Sequence, residues 1–200
     1  MQKPIAITAA AVIALGIGAG TYVAFFAQPT QCSGSTIAGG KAAIGGPFEL
    51  VDHTGQTVTD TDVITGPTLV YFGFTYCPDV CPLDTARNAE AIDILDGMGH
   101  DVKPVFISID PDRDTPPVLA DFVEVLHPKM VGLTGTPDQV KAASKAYKTY
   151  YRKNGEGEDY LMDHSTFSYL MGPEGLIEFF RRDVPAQELA DTTACFINQS

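Results

Sequence analysis

Basic side chains are scarce in this 200-residue chain: 13 Lys plus Arg stand against 25 Asp plus Glu, a formal net charge of −12. That balance excludes a nucleic-acid binder, which turns a basic face to phosphate. Cysteine is scarce too, and four in 200 residues are too few for a scaffold built on disulfides. No internal repeat is present, and no second linker interrupts the chain beyond residue 46. Disorder throughout is excluded, because 44% of the residues are apolar and can fill a core. The length suits one domain with an appendage.

Charge is absent from Ile5 to Ala27, a run of 23 residues. As a helix this run reaches roughly 35 Å, enough for a hydrocarbon core of about 30 Å. Residues 1–27 are therefore expected to form an N-terminal transmembrane anchor. The alternative is a cleaved signal peptide, with Gly18-Ala19-Gly20 as the small-residue site. Lys3 precedes the run and the next basic residue is Lys41, so the positive-inside bias keeps the N-terminus in the cytoplasm. The expectation is a single pass through an inner membrane, with the domain in the periplasm or an equivalent intermembrane space. Residues 28–45 are small, polar and glycine-rich and read as a flexible tether. Residues 46–200 carry the working domain.

Thr68 to Phe74 is a short β-rich apolar run after Gly66-Pro67, the mark of a buried strand. A helix is expected from Pro78–Pro82 onward, with Leu83, Ala86, Ala91, Ile94, Leu95 and Met98 inward. Val105–Ile109 is the next buried strand, and Val118, Leu119, Phe122, Val125 and Leu126 mark the inner side of a second helix. Thr136, Pro137 and Gln139 form a capping-box start to a third helix, with Val140, Ala143 and Tyr147 inward. Phe167 to Phe180 reads as a hairpin turning at Gly172-Pro173-Glu174-Gly175, and a last helix runs from Pro185 to Ile197. Parallel βαβ followed by ββα is the plan of an α/β, thioredoxin-like fold, a central mixed sheet flanked by helices. Ligands in such folds sit at the carboxyl ends of the parallel strands.

Two of the four cysteines stand at that edge, in Cys77-Pro78-Asp79-Val80-Cys81-Pro82. A spacing of four sets both sulfurs on one face of a helical first turn, where free N–H groups and the helix dipole favour thiolate. Such a pair supports either redox exchange or metal binding, and a third donor decides between them. His53 reads as part of a hairpin turn, and His100 and His127 as helix C-terminal residues. His164 lies 83 residues beyond Cys81, and spacing says nothing of its distance in space. Cys195 reads as a small buried apolar residue. Cys32 on the tether is open to a free state or to an intermolecular disulfide.

Three motifs in order complete the reading: Phe74-Thr75-Tyr76-Cys77-Pro78-Asp79-Val80-Cys81-Pro82, Ser108-Ile109-Asp110-Pro111-Asp112-Arg113-Asp114-Thr115-Pro116, and Tyr160-Leu161-Met162-Asp163-His164-Ser165. With the N-terminal apolar run, they make residues 46–197 resemble the Sco/SenC family of membrane-tethered assembly factors for cytochrome c oxidase. The resemblance implies one copper, Cu(I) or Cu(II), on Cys77, Cys81 and His164. It implies delivery to the dinuclear copper centre of oxidase subunit II, served by an upstream copper donor or a thioredoxin-like reductant. The alternative is a thiol–disulfide oxidoreductase in which Cys77 and Cys81 keep that subunit's copper-site cysteines reduced. Residues 74–78 also resemble a peroxiredoxin turn, which raises a peroxidase reading.

Around these ligands, Asp79 and Asp163 are placed to steer them, Asp79 equally as a charge at the helix start. Arg113 with its neighbouring aspartates is expected to brace the lip, and Met162 and Met171 to serve the core. Lys141, Lys145, Lys148 and Arg152 recur at helical spacing. The stripe is either a solvated face or a docking surface for an acidic partner.

Overall fold

The computed structural model describes residues 32, 34, 35 and 40–199. The expected anchor, residues 1–27, and the start of the tether lie outside the described residues. Among those described, no helix is long and apolar enough to cross a membrane.

Chain order begins with a hairpin of β1 (Glu49–Asp52) and β2 (Thr57–Thr59), followed by the short helix α1 (Asp60–Val63). Next come β3 (Thr68–Gly73), α2 (Val80–Gly97), β4 (Lys103–Ser108), α3 (Pro116–Leu126) and β5 (Val131–Thr134). Helix α4 (Pro137–Ala146) leads to β6 (Tyr151–Asn154) and β7 (Leu161–His164). The chain closes with β8 (Ser168–Gly172), β9 (Gly175–Phe180) and α5 (Ala186–Asn198). Seven strands form one sheet in the order β2-β1-β5-β4-β3-β8-β9, and β6 and β7 form a separate pair. Strands β3, β4 and β5 run parallel, while β8 lies antiparallel against β3. The expected mixed α/β sheet flanked by helices is present. The hairpin turn expected at His53 is present between β1 and β2, whereas β5 and the β6–β7 pair were not expected. Each of these is short, and β6 is a polar run of Tyr-Arg-Lys-Asn with no apolar alternation to mark it.

That topology creates the site. Parallel β3 and β4 both point toward one sheet edge, so the loops 74–79 and 109–115 emerge there together. Antiparallel β8 starts at the same edge, with Ser168 opposite Tyr71, so the segment entering β8 from His164 passes over those loops. One layer of the core packs Leu50, Phe72, Phe106, Leu119, Leu133 and Tyr147. The other packs Leu69, Ile92, Leu95, Leu170, Leu189 and Ala190 beneath α2 and α5.

Helix α2 turns only part of its expected face inward. Ala91 and Leu95 are buried and Ile94 packs on the core as expected, but Leu83 and Met98 are exposed and Ala86 points outward, while Cys81, Asp84, Thr85, Asn88 and Ile92 are buried. The polar members of that face are satisfied. Asp84 accepts from the Tyr71 hydroxyl at 2.9 Å, and the Asn88 amide donates to Ser168 Oγ at 2.9 Å. Buried polar groups are cheap only when paired in this way, and the pairing turns Cys81 inward. Helix α4 follows expectation: Thr136 Oγ1 accepts from the Gln139 N–H, and Val140, Ala143 and Tyr147 are fully buried.

The described end of the tether packs on the domain. Ser35 N–H donates to the buried Glu178 carboxylate at 2.9 Å, and Lys41 pairs with it at 3.2 Å while also donating to Ile177 O. Cys32 and Cys195 are each disulfide-bonded. Neither an open Cys32 thiol nor Cys195 as plain apolar filler survives this finding.

Within α3, Leu119 is fully buried while Val125, expected inward, is 86% exposed. Leu119→Ala should therefore cost about 2–5 kcal/mol through the cavity it leaves, and Val125→Ala should stay within about 0.5 kcal/mol. Urea unfolding midpoints of the two variants check the difference.

Candidate metal centre

Cys77 and Cys81 are free thiols. They do not share a helical turn as their spacing suggested: Cys77 precedes α2, and Cys81 is its second residue. The Cys81 N–H donates to Cys77 Sγ at 3.3 Å. This uses one of the first-turn amides that a helix leaves without an internal partner. Asp79 occupies the N-cap position, yet its side chain makes no capping hydrogen bond. The sulfur takes that role, and a partial positive charge from the helix end faces it.

His164 arrives from the separate strand pair, where it stands opposite Tyr151 in β6. Its Nε2 lies 3.3 Å from Cys81 Sγ. The ligand atoms of Cys77, Cys81 and His164 all fall within 4.8 Å of one another. The 83 residues between Cys81 and His164 are thus closed to bonding range. Nδ1 of the ring lies 2.8 Å from the Ser165 carbonyl oxygen. A carbonyl can only accept, so Nδ1 carries the proton and Nε2 turns its lone pair toward the sulfurs. Tyr71 and Phe74 pack edge-on against the ring, with centroids 6.3 and 5.9 Å away.

Burial sets the protonation. Cys81 is fully buried, and burial, with the Cys77 sulfur beside it, pushes its thiol well above the ordinary range. Burial likewise holds the His164 imidazolium down. At neutral pH the metal-free site is therefore a thiol beside a neutral imidazole. A buried thiolate needs a cation next to it, and two soft sulfurs with one imidazole suit a soft or borderline ion.

The lip is braced as the sequence suggested. Asp114 is fully buried and accepts from Thr75 N–H at 3.0 Å, Thr75 Oγ1 at 2.6 Å and Ser108 Oγ at 2.6 Å. Burial raises its carboxyl above the usual range, against the pull of those three donors. This carboxyl ties the β4 loop to the turn that leads into Cys77. Asp110 accepts from Arg113 Nε at 2.5 Å and from the Tyr160 hydroxyl at 2.6 Å, and the Arg113 guanidinium stacks 3.6 Å from the Tyr160 ring centroid. The Tyr160 hydroxyl, pushed up to about 12 by burial and by Asp110, stays a donor at neutral pH.

Asp163, expected to steer its neighbour, instead accepts from Arg152 at 3.0 Å and Asn154 at 3.1 Å. Arg152 foremost holds its carboxyl low. Its effect is to fix β7 against β6, and through that pair the position of His164. Met171 is buried in the core and Met162 packs against it. His53 and His127 are structural: His53 Nδ1 accepts from Gly132 N–H, and His127 Nδ1 from Lys129 N–H.

Three contributors escaped the sequence reading. The Ser165 carbonyl sets the His164 tautomer, the Tyr71–Asp84 pair lies against both buried ligands, and Arg87 with Asn88 clamps Ser168 at 2.8 and 2.9 Å. The first is a backbone group and has no residue signature. The others were signalled by polar Asp84 and Asn88, three and seven positions after Cys81 on its own helix face, with Arg87 beside them. Gly73 is needed here as well. A Cβ there would come within 2.9 Å of the Phe106 ring and 3.2 Å of Cys81 Sγ.

The model of the SCO1/SenC family matches residues 37–198. Protein SenC of Rhodobacter capsulatus is 51% identical over 97% of this chain and 89% of its own length. The human mitochondrial SCO1 homologue is 42% identical over 78% of this chain, which spans only 53% of that longer protein. Among solved structures, copper-bound ScoI of Arabidopsis thaliana is 43% identical with a TM-score of 0.76, covering 79% of this chain and 100% of that one. Copper-bound yeast Sco1 is 36% identical with a TM-score of 0.74, over 79% and 90% of the two chains. With its three-donor cluster, its sheet topology and these similarities, the chain belongs to the SCO1/SenC family.

Proposed function

We propose that the protein is a membrane-tethered copper metallochaperone that loads the dinuclear copper centre of cytochrome c oxidase subunit II. The observation that carries this reading is the convergence of the Cys77, Cys81 and His164 ligand atoms within 4.8 Å. Relatives whose structures hold copper supply the identity of the ion, and the donor set agrees. Thiolates select copper(I), and an imidazole suits either oxidation state. Two thiolates and a neutral imidazole give a site of net charge −1 with Cu(I) and zero with Cu(II). Copper is cargo here, held by three donors with a position left for a ligand of the acceptor. A structural site would fill all four positions. The tether and anchor expected from residues 1–45 would hold this thioredoxin-like domain at the outer face of an inner membrane, facing the periplasm or intermembrane space.

Loading requires Cys77 and Cys81 as thiolates, so each thiol proton bound in the apo state is released as the ion enters. The fixed His164 tautomer offers Nε2 without rearrangement, and the Asp114 and Asp110 braces hold the turn that presents Cys77. A thiol–disulfide reductase built on the same pair is the second reading. Full burial of Cys81 and its raised thiol weigh against it, because exchange needs an accessible thiolate.

His164→Ala should abolish stoichiometric Cu(II) binding and prevent transfer to the apo copper-site domain of subunit II. Cys77 and Cys81 should still oxidise and reduce reversibly, since a disulfide needs no imidazole. Copper stoichiometry, transfer and thiol titration on one preparation test this, and native copper affinity in the variant would refute the three-donor site. Because the folded Cys81 thiol sits above the ordinary range, its proton is still bound at neutral pH and must be displaced. Copper affinity should therefore climb as pH rises from about 6 to 9, by up to about tenfold per unit for each proton released. Competition against a chelator of known pH dependence measures the slope.

A further inference from the structure

Among the described residues, seven large apolar side chains are exposed, and five of them lie within three residues of a ligand or bond to a ligand's neighbour: Tyr76, Leu83, Tyr150, Leu161 and Phe167. Tyr76 adjoins Cys77, and Leu83 lies two residues beyond Cys81 on the exposed side of the helix. Leu161 shares a cavity with Tyr76 and Pro78. Tyr150 exchanges backbone and side-chain hydrogen bonds with Ser165, next to His164. Exposed apolar groups are ordinary when scattered and informative when they collect around one feature. Here they form an apolar collar beside the ligand-bearing segments.

The collar is flanked by charge of opposite signs. Among the described residues the other basic side chains are engaged. Lys41, Arg113, Lys129, Arg152, Arg181 and Arg182 pair with carboxylates. Arg87 and Lys103 donate to backbone carbonyls, and Lys153 stacks on Tyr160. Lys141, Lys145 and Lys148 are exposed and make no ion pair. Lys141 and Lys145 share one face of α4, and Lys148 N–H bonds back to the Lys145 carbonyl. Burial alternates beyond that point. Tyr147 and Thr149 face inward while Lys148 and Tyr150 face outward, so the lysines run into the collar. On its other side the β6–β7 turn carries Glu156, Glu158 and Asp159, all exposed.

We propose that α4 and the turn after it form a basic docking flank for an acidic protein face, with the apolar collar as the dry centre of the interface. This deepens the delivery reading and rests on it: the occupant is the copper-acceptor domain, seated with acidic residues against Lys141, Lys145 and Lys148. The acidic β6–β7 turn repels a partner docked the other way round, so charge fixes orientation as well as approach. On a chain of net charge −12, this flank lets an acidic acceptor approach despite the overall repulsion.

The test uses the full chain in detergent, loaded with copper, and follows transfer to the apo soluble copper-site domain of subunit II and, separately, to a small chelator. K141E/K145E/K148E should slow second-order transfer to the domain by about tenfold or more. Transfer to the chelator should be unchanged, and the defect should shrink as salt rises. The milder K141Q/K145Q/K148Q variant should give a smaller loss in the same direction, and L83D should slow transfer to the domain with little salt dependence. Unchanged transfer to the domain in all three variants would overturn the docking flank while leaving delivery intact. Equal slowing toward domain and chelator would overturn it too, by locating the effect at the ligands. Absence of transfer from the unmodified protein would instead overturn delivery, and with it the occupant named for this surface.

Discussion

A fully buried thiol cannot ionise without a cation beside it. Cys81 sits under the end of β3 with no exposure, 3.3 Å from an imidazole nitrogen whose lone pair is aimed at it. Burial denies a bare thiolate the stabilisation of solvent, and the neutral ring cannot supply charge. Such a site rests either as a protonated thiol or as a thiolate covering a metal. The rest of the edge is arranged around that choice.

Each ligand is held by a different part of the fold. Cys81 is fixed by α2, whose buried Asp84, Thr85 and Asn88 are satisfied by Tyr71, the Cys81 carbonyl and Ser168. Cys77 is fixed by the 74–79 turn, clamped through Thr75 to Asp114. His164 is carried on a two-stranded pair outside the main sheet, joined to it by chain connection and by side-chain contacts. Two ligands therefore ride on the rigid sheet edge and the third on a smaller element. For the proposed carrier this division has a physical use. Ligands on separate elements can part without unfolding the core, which release of cargo requires.

The strand–turn–helix context of Cys77 and Cys81 was legible because an apolar run, a proline-flanked turn and a helix signal stand together in the sequence. The capping box at Thr136 was legible for the same reason, being written in adjacent residues. Strand pair β6–β7 was not, since its stability comes from cross-strand pairs such as Arg152 with Asp163 and not from apolar periodicity. The ends of the inner face of α2 were misjudged because apolar Leu83 and Met98 were assigned inward, with polar Asp84 and Asn88 taking the start of that face. Tertiary hydrogen bonds decided that face. Proximity of His164 to the sulfurs is a consequence of β8 running antiparallel to β3. Spacing along the chain does not encode it, and only the family resemblance anticipated it.

The most direct test is X-ray absorption at the copper edge on fully reduced, singly loaded protein. The account predicts a first shell of two sulfur scatterers and one imidazole nitrogen, with the nitrogen lost in His164→Ala. A shell of sulfur alone in the unmodified protein, or one of nitrogen and oxygen alone, would contradict it.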